Sequence, residues 1–384
     1  MKIGIVTFFH DMNVGTCLQA YALQKTIEKY GYEAEIIDYR HDEITKVSET
    51  KWKHILNVIK TYGNKKLFYY FKFKNLDENN KQAFLDFQEN NYHLSEKKFD
   101  KFEDLKEADE LYDKFVCGSD MIWAPSFEID YKVFFLRFTC ARKRIAYAPS
   151  FGAAGLPENL QKEFETYIKE FFALSCREQS GVDLIKDCYG KIAEFVLDPT
   201  QLIGKDEWIS SFGLNTKKRE KYILCYLFNS EYKEWYIKLA NSIAKRMGVS
   251  VRFFPLNRNE QLHEFQFHQK EYGPVEFMEL VNNAEFVMTN SYHGFMFSLI
   301  FEKPFIVMSR EKKLFWTQYE ERFTSMLKLI GEEKRMIQYK QKVSDELFDI
   351  NYEKINEKLN VYRKSSMDYL YSSLDAMDEY EYMK

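Results

Sequence analysis

The sequence lacks the features that mark membrane-spanning, secreted and general nucleic-acid-binding proteins. No apolar stretch among its 384 residues approaches the roughly 20 residues that span a bilayer. The first residues, MKIGIVTFF, carry neither the long apolar run nor the small-residue cleavage site of a secretory signal. The formal net charge is -4, so the basic excess typical of a nucleic-acid binder is missing. A soluble, cytoplasmic protein that binds no nucleic acid is therefore expected.

Paired cysteines and the common cofactor motifs are missing as well. Six cysteines are present and no two of them form a CxxC pair. A chain of this length folds without disulfides, so free thiols are expected. The P-loop, HExxH, GxSxG and GxGxxG motifs do not occur, and no cluster of residues has metal-ligand spacing. We therefore expect no metal and no bound cofactor.

The sequence does contain enough apolar material for two domains. Hydrophobic residues make up 45% of the chain, and 384 residues exceed what one ordinary core accommodates. An apolar strand pattern at 2–9 is followed by helical spacing of Ala20, Leu23 and Ile27, and then by the strand pattern EAEIIDY. Such βαβ units form open parallel sheets. The predicted fold class is α/β, with two Rossmann-like domains that face each other and bind ligands at the carboxyl ends of their strands.

Composition also predicts how the chain is divided. An N-terminal domain, a C-terminal domain and a helical tail are expected at 1–200, 201–343 and 344–384. Asp198-Pro199 is the expected break, because the residue before a proline leaves helical geometry. Residues 51–101 are predicted to be a helical insertion, and its segment 51–76 has seven lysines and no acidic residue. This segment either packs as a cap on the N-terminal domain or contacts an anionic membrane surface peripherally.

The segment Thr289–Gly294, TNSYHG, is the strongest local signal for a functional site. It follows an apolar strand pattern and opens a helix, and backbone N–H groups at a helix start attract anions. His293 in this segment is suited to general acid catalysis, since imidazole titrates near neutral pH. A histidine that only caps the turn, or that packs within a domain interface, is the structural alternative.

Three further loops carry candidate residues. Gly118–Asp120 ends a predicted strand where backbone can approach a ligand closely, although an ordinary tight turn is equally consistent. Arg177 and Glu178 follow another strand, where the arginine suits either an anionic ligand or an internal ion pair. Asn13–Gly15 lies in the first loop between strand and helix and does not match a dinucleotide-binding motif.

Seven segments, taken in order, resemble those of the polysaccharide pyruvyl transferase family. Each segment alone is a weak signal, but the ordered set covers residues 2 to about 330 and is quite specific. The segments are NVGTCLQAYALQ, EIIDYR, FVCGSDMIW, RIAYAPSFG, SCREQSGVDLI, VLDPTQLI and EFVMTNSYHGFMFSLIFEKPF.

The resemblance implies an activity, an architecture and partners. Family members transfer the pyruvyl group of phosphoenolpyruvate to a sugar as a cyclic ketal, and their fold is similar to the GT-B type of glycosyltransferase. The resemblance therefore implies phosphoenolpyruvate as donor and a glycan or lipid-linked oligosaccharide as acceptor, in the synthesis of an exopolysaccharide or capsule. The His-Gly motif implies that His293 is catalytic, and the Arg-Glu motif implies that Arg177 binds the donor.

One position departs from the family pattern. Characterised members often carry Asp-Arg-Leu-His-Gly where this chain has Asn-Ser-Tyr-His-Gly, so Ser291 replaces a donor-binding arginine. Arg177 is then the best candidate for the cation that binds the donor, and Arg310 is the next. The predicted catalytic residues are His293 as general acid and Asp120 as base or acceptor-orienting residue. The predicted substrate-binding residues are Asn13, Gly15, Gly118, Ser119, Arg177, Asn290, Ser291, Tyr292, Gly294 and Arg310.

Two other functions stay open. A glycosyltransferase that uses a nucleotide-sugar would have the same fold and would also bind an anionic donor. A non-catalytic, glycan-binding paralogue is the second alternative, and Ser291 is the residue that motivates it. The sequence also leaves open the acceptor sugar and the oligomeric state.

Overall fold

The computed structural model describes residues 1–40, 80–125, 129–153, 155–216, 220–228, 230–256, 272–310 and 320–376. The lysine-rich segment 51–76 lies outside the described residues, so the choice between cap and membrane contact stays a prediction. No helix within these described ranges is both long enough and apolar enough to cross a bilayer.

A parallel sheet organises the N-terminal half. Its strands are Lys2–Val6 (β1), Glu33–Ile36 (β2), Lys114–Cys117 (β3) and Arg144–Ala146 (β4), in the order β2-β1-β3-β4. A bridge from Ile145 to Ala173 leads towards a second parallel pair, Ser175–Cys176 (β5) and Glu194–Phe195 (β6). The helices are Val14–Tyr30 (α1), 80–91 (α2), Lys106–Asp109 (α3), Tyr131–Phe134 (α4), Glu158–Ile168 (α5) and Gln179–Tyr189 (α6). Short 3-10 turns occur at Phe102–Leu105, Ala141–Lys143 and Pro199–Leu202.

A second parallel sheet organises the C-terminal half. Its strands are Tyr222–Tyr226 (β7), Ser250–Phe253 (β8), Phe286–Thr289 (β9), Phe305–Met308 (β10) and Met336–Ile337 (β11), in the order β11-β10-β9-β7-β8. The helices are Lys205–Phe212 (α7), Lys233–Met247 (α8), Pro274–Asn283 (α9), Tyr292–Ile300 (α10), Glu321–Ile330 (α11) and Tyr352–Asp375 (α12). The two parallel sheets with their connecting helices confirm the predicted α/β class and its two Rossmann-like units.

Both sheets have a switch point between their first and third strands. β1 lies between β2 and β3, and β7 lies between β8 and β9, so successive connections leave these central strands towards opposite sides. In open parallel sheets this arrangement creates a crevice beyond the carboxyl ends of the strands, where ligands bind. The loops that follow β1, β3, β7 and β9 therefore have the positions expected of a binding site.

Helix α1 joins the two halves. Its N-cap is Asn13, whose side-chain oxygen accepts hydrogen bonds from the backbone N–H groups of Gly15 at 2.9 Å and Thr16 at 3.4 Å. It ends at Gly31, which has a left-handed φ of 107° that glycine adopts readily. Along its length α1 contacts β2 on one side and α9 and α10 of the C-terminal half on the other. Most of its side chains are consequently buried.

Helix α12 carries the end of the chain back onto the N-terminal half. Its Tyr369 hydroxyl donates to the carbonyl oxygen of Ala146 in β4 at 2.9 Å. Its Tyr371 ring stacks on Tyr30 at the end of α1, with 3.8 Å between the ring centroids. The helix thus adds a second connection between the two halves.

Candidate active site

His293 lies where the second sheet meets α10. Strand β9 ends at Thr289, and Ser291 caps α10 by accepting a hydrogen bond from the backbone N–H of Gly294 at 3.3 Å. His293 is the second residue of the helix and is 6% exposed. Its Nε2 atom lies 3.6 Å from Oδ2 of Asp198 and has no hydrogen-bond partner in the described part of the chain. The loop predicted from sequence therefore presents a buried imidazole next to a carboxylate.

Two neighbours of His293 fix the shape of this loop. Asn290 binds the backbone of Phe228 twice, since its Oδ1 accepts from the N–H at 2.7 Å and its Nδ2 donates to the carbonyl at 3.0 Å. A Cβ atom on Gly294 would lie only 2.3 Å from Oγ1 of Thr289. Glycine is thus required for α10 to begin this close to β9. These contacts give Asn290 and Gly294 a structural role, and their contact with a substrate stays a prediction.

The first turn of α1 contacts the imidazole of His293 directly. A Cβ atom on Gly15 would lie 2.0 Å from Nδ1 and 2.3 Å from Cγ of His293. Helix α1 of the first sheet and helix α10 of the second therefore meet with their N-terminal ends at this ring. Both helix dipoles direct positive potential towards the same point, which favours a bound anion.

Arg177, which follows β5, connects three carboxylates. Its guanidinium donates to Asp198 at 2.9 Å and to Glu178 at 3.1 Å, and it lies 3.5 Å from Oδ1 of Asp120. The residue is 2% exposed. Burial alone would lower the pKa of Arg177, but the charges of Glu178, Asp120 and Asp198 outweigh it and raise the pKa. The internal ion pair that the sequence left open is therefore present, and donor binding by Arg177 stays a prediction.

Asp198 is the carboxylate that His293 and Arg177 share. It is completely buried at the start of the 3-10 turn Pro199–Leu202, and its Oδ1 accepts from the Thr200 hydroxyl at 2.8 Å. Burial works to raise its pKa, yet the electrostatic interactions with His293 and Arg177 and the Thr200 hydrogen bond hold the pKa well below its usual range. Asp198 is consequently ionised at neutral pH.

Glu178 and Asp120 complete the acidic side of the site. Burial raises the pKa of Glu178, against the opposing charge of Arg177, and its Oε1 accepts a hydrogen bond from the Ser150 hydroxyl at 2.6 Å. Asp120 is more accessible, with 13% of its side chain exposed. Its Oδ2 accepts from the Thr16 hydroxyl at 3.0 Å. Asp120 is therefore the carboxylate of this group with the most access to a ligand.

The other two residues of the Gly118–Asp120 loop have structural contacts. A Cβ atom on Gly118 would lie 2.0 Å from the carbonyl oxygen of Tyr147, so this glycine allows the loop to approach the residue after β4. The Ser119 hydroxyl lies 2.9 Å from the carbonyl oxygen of Ala148 and 3.2 Å from Oδ2 of Asp198. Ser119 thus supports the carboxylate of Asp198 from the N-terminal half.

Two arginines reach the site from the C-terminal half. Arg322 on α11 is 9% exposed, and its guanidinium carbon lies 5.8 Å from the centroid of the Tyr292 ring. Burial and the positive charges of Arg177 and Arg310 lower the pKa of Arg322 to about 10, while Glu178 and Asp120 act in the other direction. Arg310, just after β10, lies against the ring of Phe228 at 5.1 Å.

The structure brings together most of the residues predicted from sequence. His293, Tyr292, Gly15, Arg177 and Asp120 form one continuous cluster between the two sheets. Sequence reasoning gave no catalytic or binding role to three charged members of this cluster: Asp198, Glu178 and Arg322. Asp198 and Glu178 stand in segments already singled out, VLDPTQLI and SCREQSGVDLI, whereas no local signal marks Arg322. Among the described residues, no group of histidine, cysteine and acidic side chains could hold a metal ion.

Comparison with family models places the chain in a known family. The family model for polysaccharide pyruvyl transferase matches residues 13–312, which is more than half of the 384-residue chain. The chain belongs to this family. The protein is therefore a transferase, and the matched region runs from the N-cap of α1 to just beyond β10. It includes His293, Asp198 and Arg177, but it ends before Arg322.

Other similarities are distant. No curated protein matches the sequence of this transferase. A structure described as a UDP-N-acetylglucosamine 2-epimerase from Listeria monocytogenes is 11% identical, with 87% of this chain and 89% of that chain covered and a TM-score of 0.46. An E. coli heptosyltransferase with ADP is 9% identical, with coverage of 94% and 100% and a TM-score of 0.41. Neither likeness is strong enough to transfer a ligand or a reaction to this protein.

Proposed function

We propose that this protein transfers the pyruvyl group of phosphoenolpyruvate to two hydroxyl groups of one sugar, forming a cyclic ketal and releasing phosphate. The acceptor would be a glycan or a lipid-linked oligosaccharide. The observation that carries the proposal is the buried His293 imidazole beside the Asp198 carboxylate, at the meeting point of two helix N-termini. A general acid next to an anion-attracting surface is what this reaction requires.

The proposed reaction begins with proton transfer to carbon. His293 donates a proton to the methylene carbon of phosphoenolpyruvate, which becomes a methyl group and leaves an oxocarbenium-like centre at the adjacent carbon. One sugar hydroxyl attacks that centre and loses its proton. A second hydroxyl then displaces phosphate and loses its proton, so that two C–O bonds to the sugar replace the bond to phosphate and the former double bond. Asp198 would orient the imidazole and offset its positive charge.

Asp120 is the proposed base for the hydroxyl protons. It is the more exposed carboxylate of the cluster, and Thr16 and the backbone N–H of Met121 already hold it in place through hydrogen bonds of 3.0 Å and 2.8 Å. A base with a fixed orientation and access to the crevice suits a hydroxyl nucleophile. Glu178 is less suited, because it is 3% exposed and bonded to both Arg177 and Ser150.

The test is an assay for phosphate release from phosphoenolpyruvate against a panel of nitrophenyl glycosides and lipid-linked glycans. Mass spectrometry of the glycan product should show a gain equal to the mass of pyruvic acid minus the mass of one water molecule. Turnover of a nucleotide-sugar with no turnover of phosphoenolpyruvate would replace the proposal with glycosyl transfer. Glycan binding without turnover of either donor would identify a non-catalytic paralogue.

A further inference from the structure

Arg322 connects the two halves of the protein at the site. It is the second residue of α11, in the C-terminal half, and its Nη1 lies 3.2 Å from Sδ of Met121. Met121 immediately follows the Gly118–Asp120 loop of the N-terminal half. The guanidinium carbon of Arg322 also lies 5.2 Å from the centroid of the Phe323 ring. This arginine is therefore buried within the cluster, where it lies close to the proposed base Asp120.

Arg322 and Arg177 lie against the same aromatic ring. Their guanidinium carbons are 5.8 Å and 4.4 Å from the centroid of Tyr292. The Tyr292 hydroxyl is buried and has no hydrogen-bond partner among the described residues, and neither has the adjacent Nε2 of His293. Buried polar groups are normally satisfied, so two such atoms on neighbouring residues indicate the place of a ligand.

The distribution of charge distinguishes the arginines. The charge of Arg177 is already shared among three carboxylates, and its side chain is completely buried. The pKa of Arg322 is lowered to about 10 by burial and by repulsion from Arg177 and Arg310, against the attraction of Glu178 and Asp120. A bound anion would offset this repulsion, because its negative charge attracts the guanidinium groups that repel one another.

We infer that Arg322, together with the Tyr292 hydroxyl, binds an anionic group of the donor beside His293 and supplies the positive charge that Ser291 lacks. This inference rests on the proposed function, since it takes phosphoenolpyruvate as the donor. Arg322 lies beyond residues 13–312, the part of the chain that matches the family model. The family model therefore does not assign this donor-binding role to Arg322, and only the structure of this chain indicates it.

Calorimetric titration with phosphoenolpyruvate tests the inference in wild type, Arg322→Gln, Arg322→Lys and Tyr292→Phe. Arg322→Gln should weaken affinity at least about tenfold, the scale of one charge-assisted hydrogen bond. Arg322→Lys should weaken it less, because the charge remains but the planar fork is lost. Tyr292→Phe should weaken affinity several-fold and leave the melting temperature unchanged or higher, since it removes a buried hydroxyl that lacks a partner in the described structure.

Arg142→Gln is the matched control. Arg142 is exposed and lies just before β4, at the amino ends of the strands, whereas the crevice lies beyond their carboxyl ends. This variant should therefore bind phosphoenolpyruvate as wild type does. If Arg322→Gln does not fold, Arg322→Lys and Tyr292→Phe decide the question. Wild-type affinity in folded Arg322 and Tyr292 variants would overturn the inference and leave the proposed function standing. A wild-type protein that does not bind phosphoenolpyruvate would overturn both.

Discussion

The Nε2 atom of His293 lies 3.6 Å from Oδ2 of Asp198, and the two residues come from opposite halves of the chain. This distance is that of an ion pair and exceeds a hydrogen bond, so Nε2 stays available to a ligand. The same carboxylate oxygen accepts from Arg177 at 2.9 Å. Asp198 therefore couples the proposed general acid to the ion-pair cluster of the N-terminal half.

Replacing His293 should affect turnover much more than folding. His293→Ala should reduce phosphate release from phosphoenolpyruvate by about 100-fold or more, the usual contribution of a general acid. The circular dichroism spectrum should not change. His93→Ala is the matched control, since His93 is exposed and pairs only with Glu28 among the described residues. Near-normal turnover in a folded His293→Ala protein would remove His293 from the mechanism.

Asp198 should contribute to stability at neutral pH and lose that contribution in acid. Because its folded-state pKa is held below the usual range, the stabilisation is present above pH of about 4 and decreases as pH falls below that value. Asp198→Asn should lower the free energy of unfolding at pH 7 by about 3–5 kcal/mol, since it leaves the buried Arg177 charge with one partner fewer. Denaturant titrations at pH 7 and pH 3 should show a smaller difference between variant and wild type in acid. The exposed Asp183→Asn is the control, and an equal deficit at both pH values would contradict the prediction.

A methyl group on Gly15 should displace the His293 ring. Gly15→Ala places a carbon 2.0 Å from Nδ1, so either the ring or the α1 N-terminus must shift. We expect a loss of stability of about 1–3 kcal/mol together with reduced turnover. Gly155→Ala is the control, because a Cβ there meets nothing within 4 Å and its backbone is not left-handed. Full activity in Gly15→Ala would show that the contact between Gly15 and His293 is absent during catalysis.

Arg177→Lys should lower stability and impair donor affinity. A lysine ammonium cannot keep the separate contacts with Asp198, Glu178 and Asp120 that the planar guanidinium makes at 2.9, 3.1 and 3.5 Å. Loss of hydrogen bonds to buried carboxylates should lower the free energy of unfolding by about 1–3 kcal/mol. Thermal unfolding and calorimetry with phosphoenolpyruvate measure the two effects. A stable variant with unchanged affinity would contradict both roles of Arg177.

Local patterns predicted much of the fold. The apolar run at 2–9 and the spacing of Ala20, Leu23 and Ile27 gave β1 and α1, because strand and helix formation depend mainly on neighbouring residues. The local pattern over residues 157–173 also favours a helix, but α5 ends at Ile168 and Ala173 bridges to Ile145. The residues after α5 leave the helix because Ala173 pairs with Ile145 of β4. The local pattern of residues 157–173 does not show this long-range contact.

The sequence by itself determined the α/β alternation, the His-Gly loop at the start of α10 and the family resemblance. Only the tertiary structure decided which charges meet, because ion pairing depends on distances between residues that are far apart in the chain. Asp198 was predicted as a domain break, yet it is the carboxylate shared by Arg177 and His293. Arg322 has no motif around it and joins the site only because α11 packs its side chain beside Tyr292 and Met121.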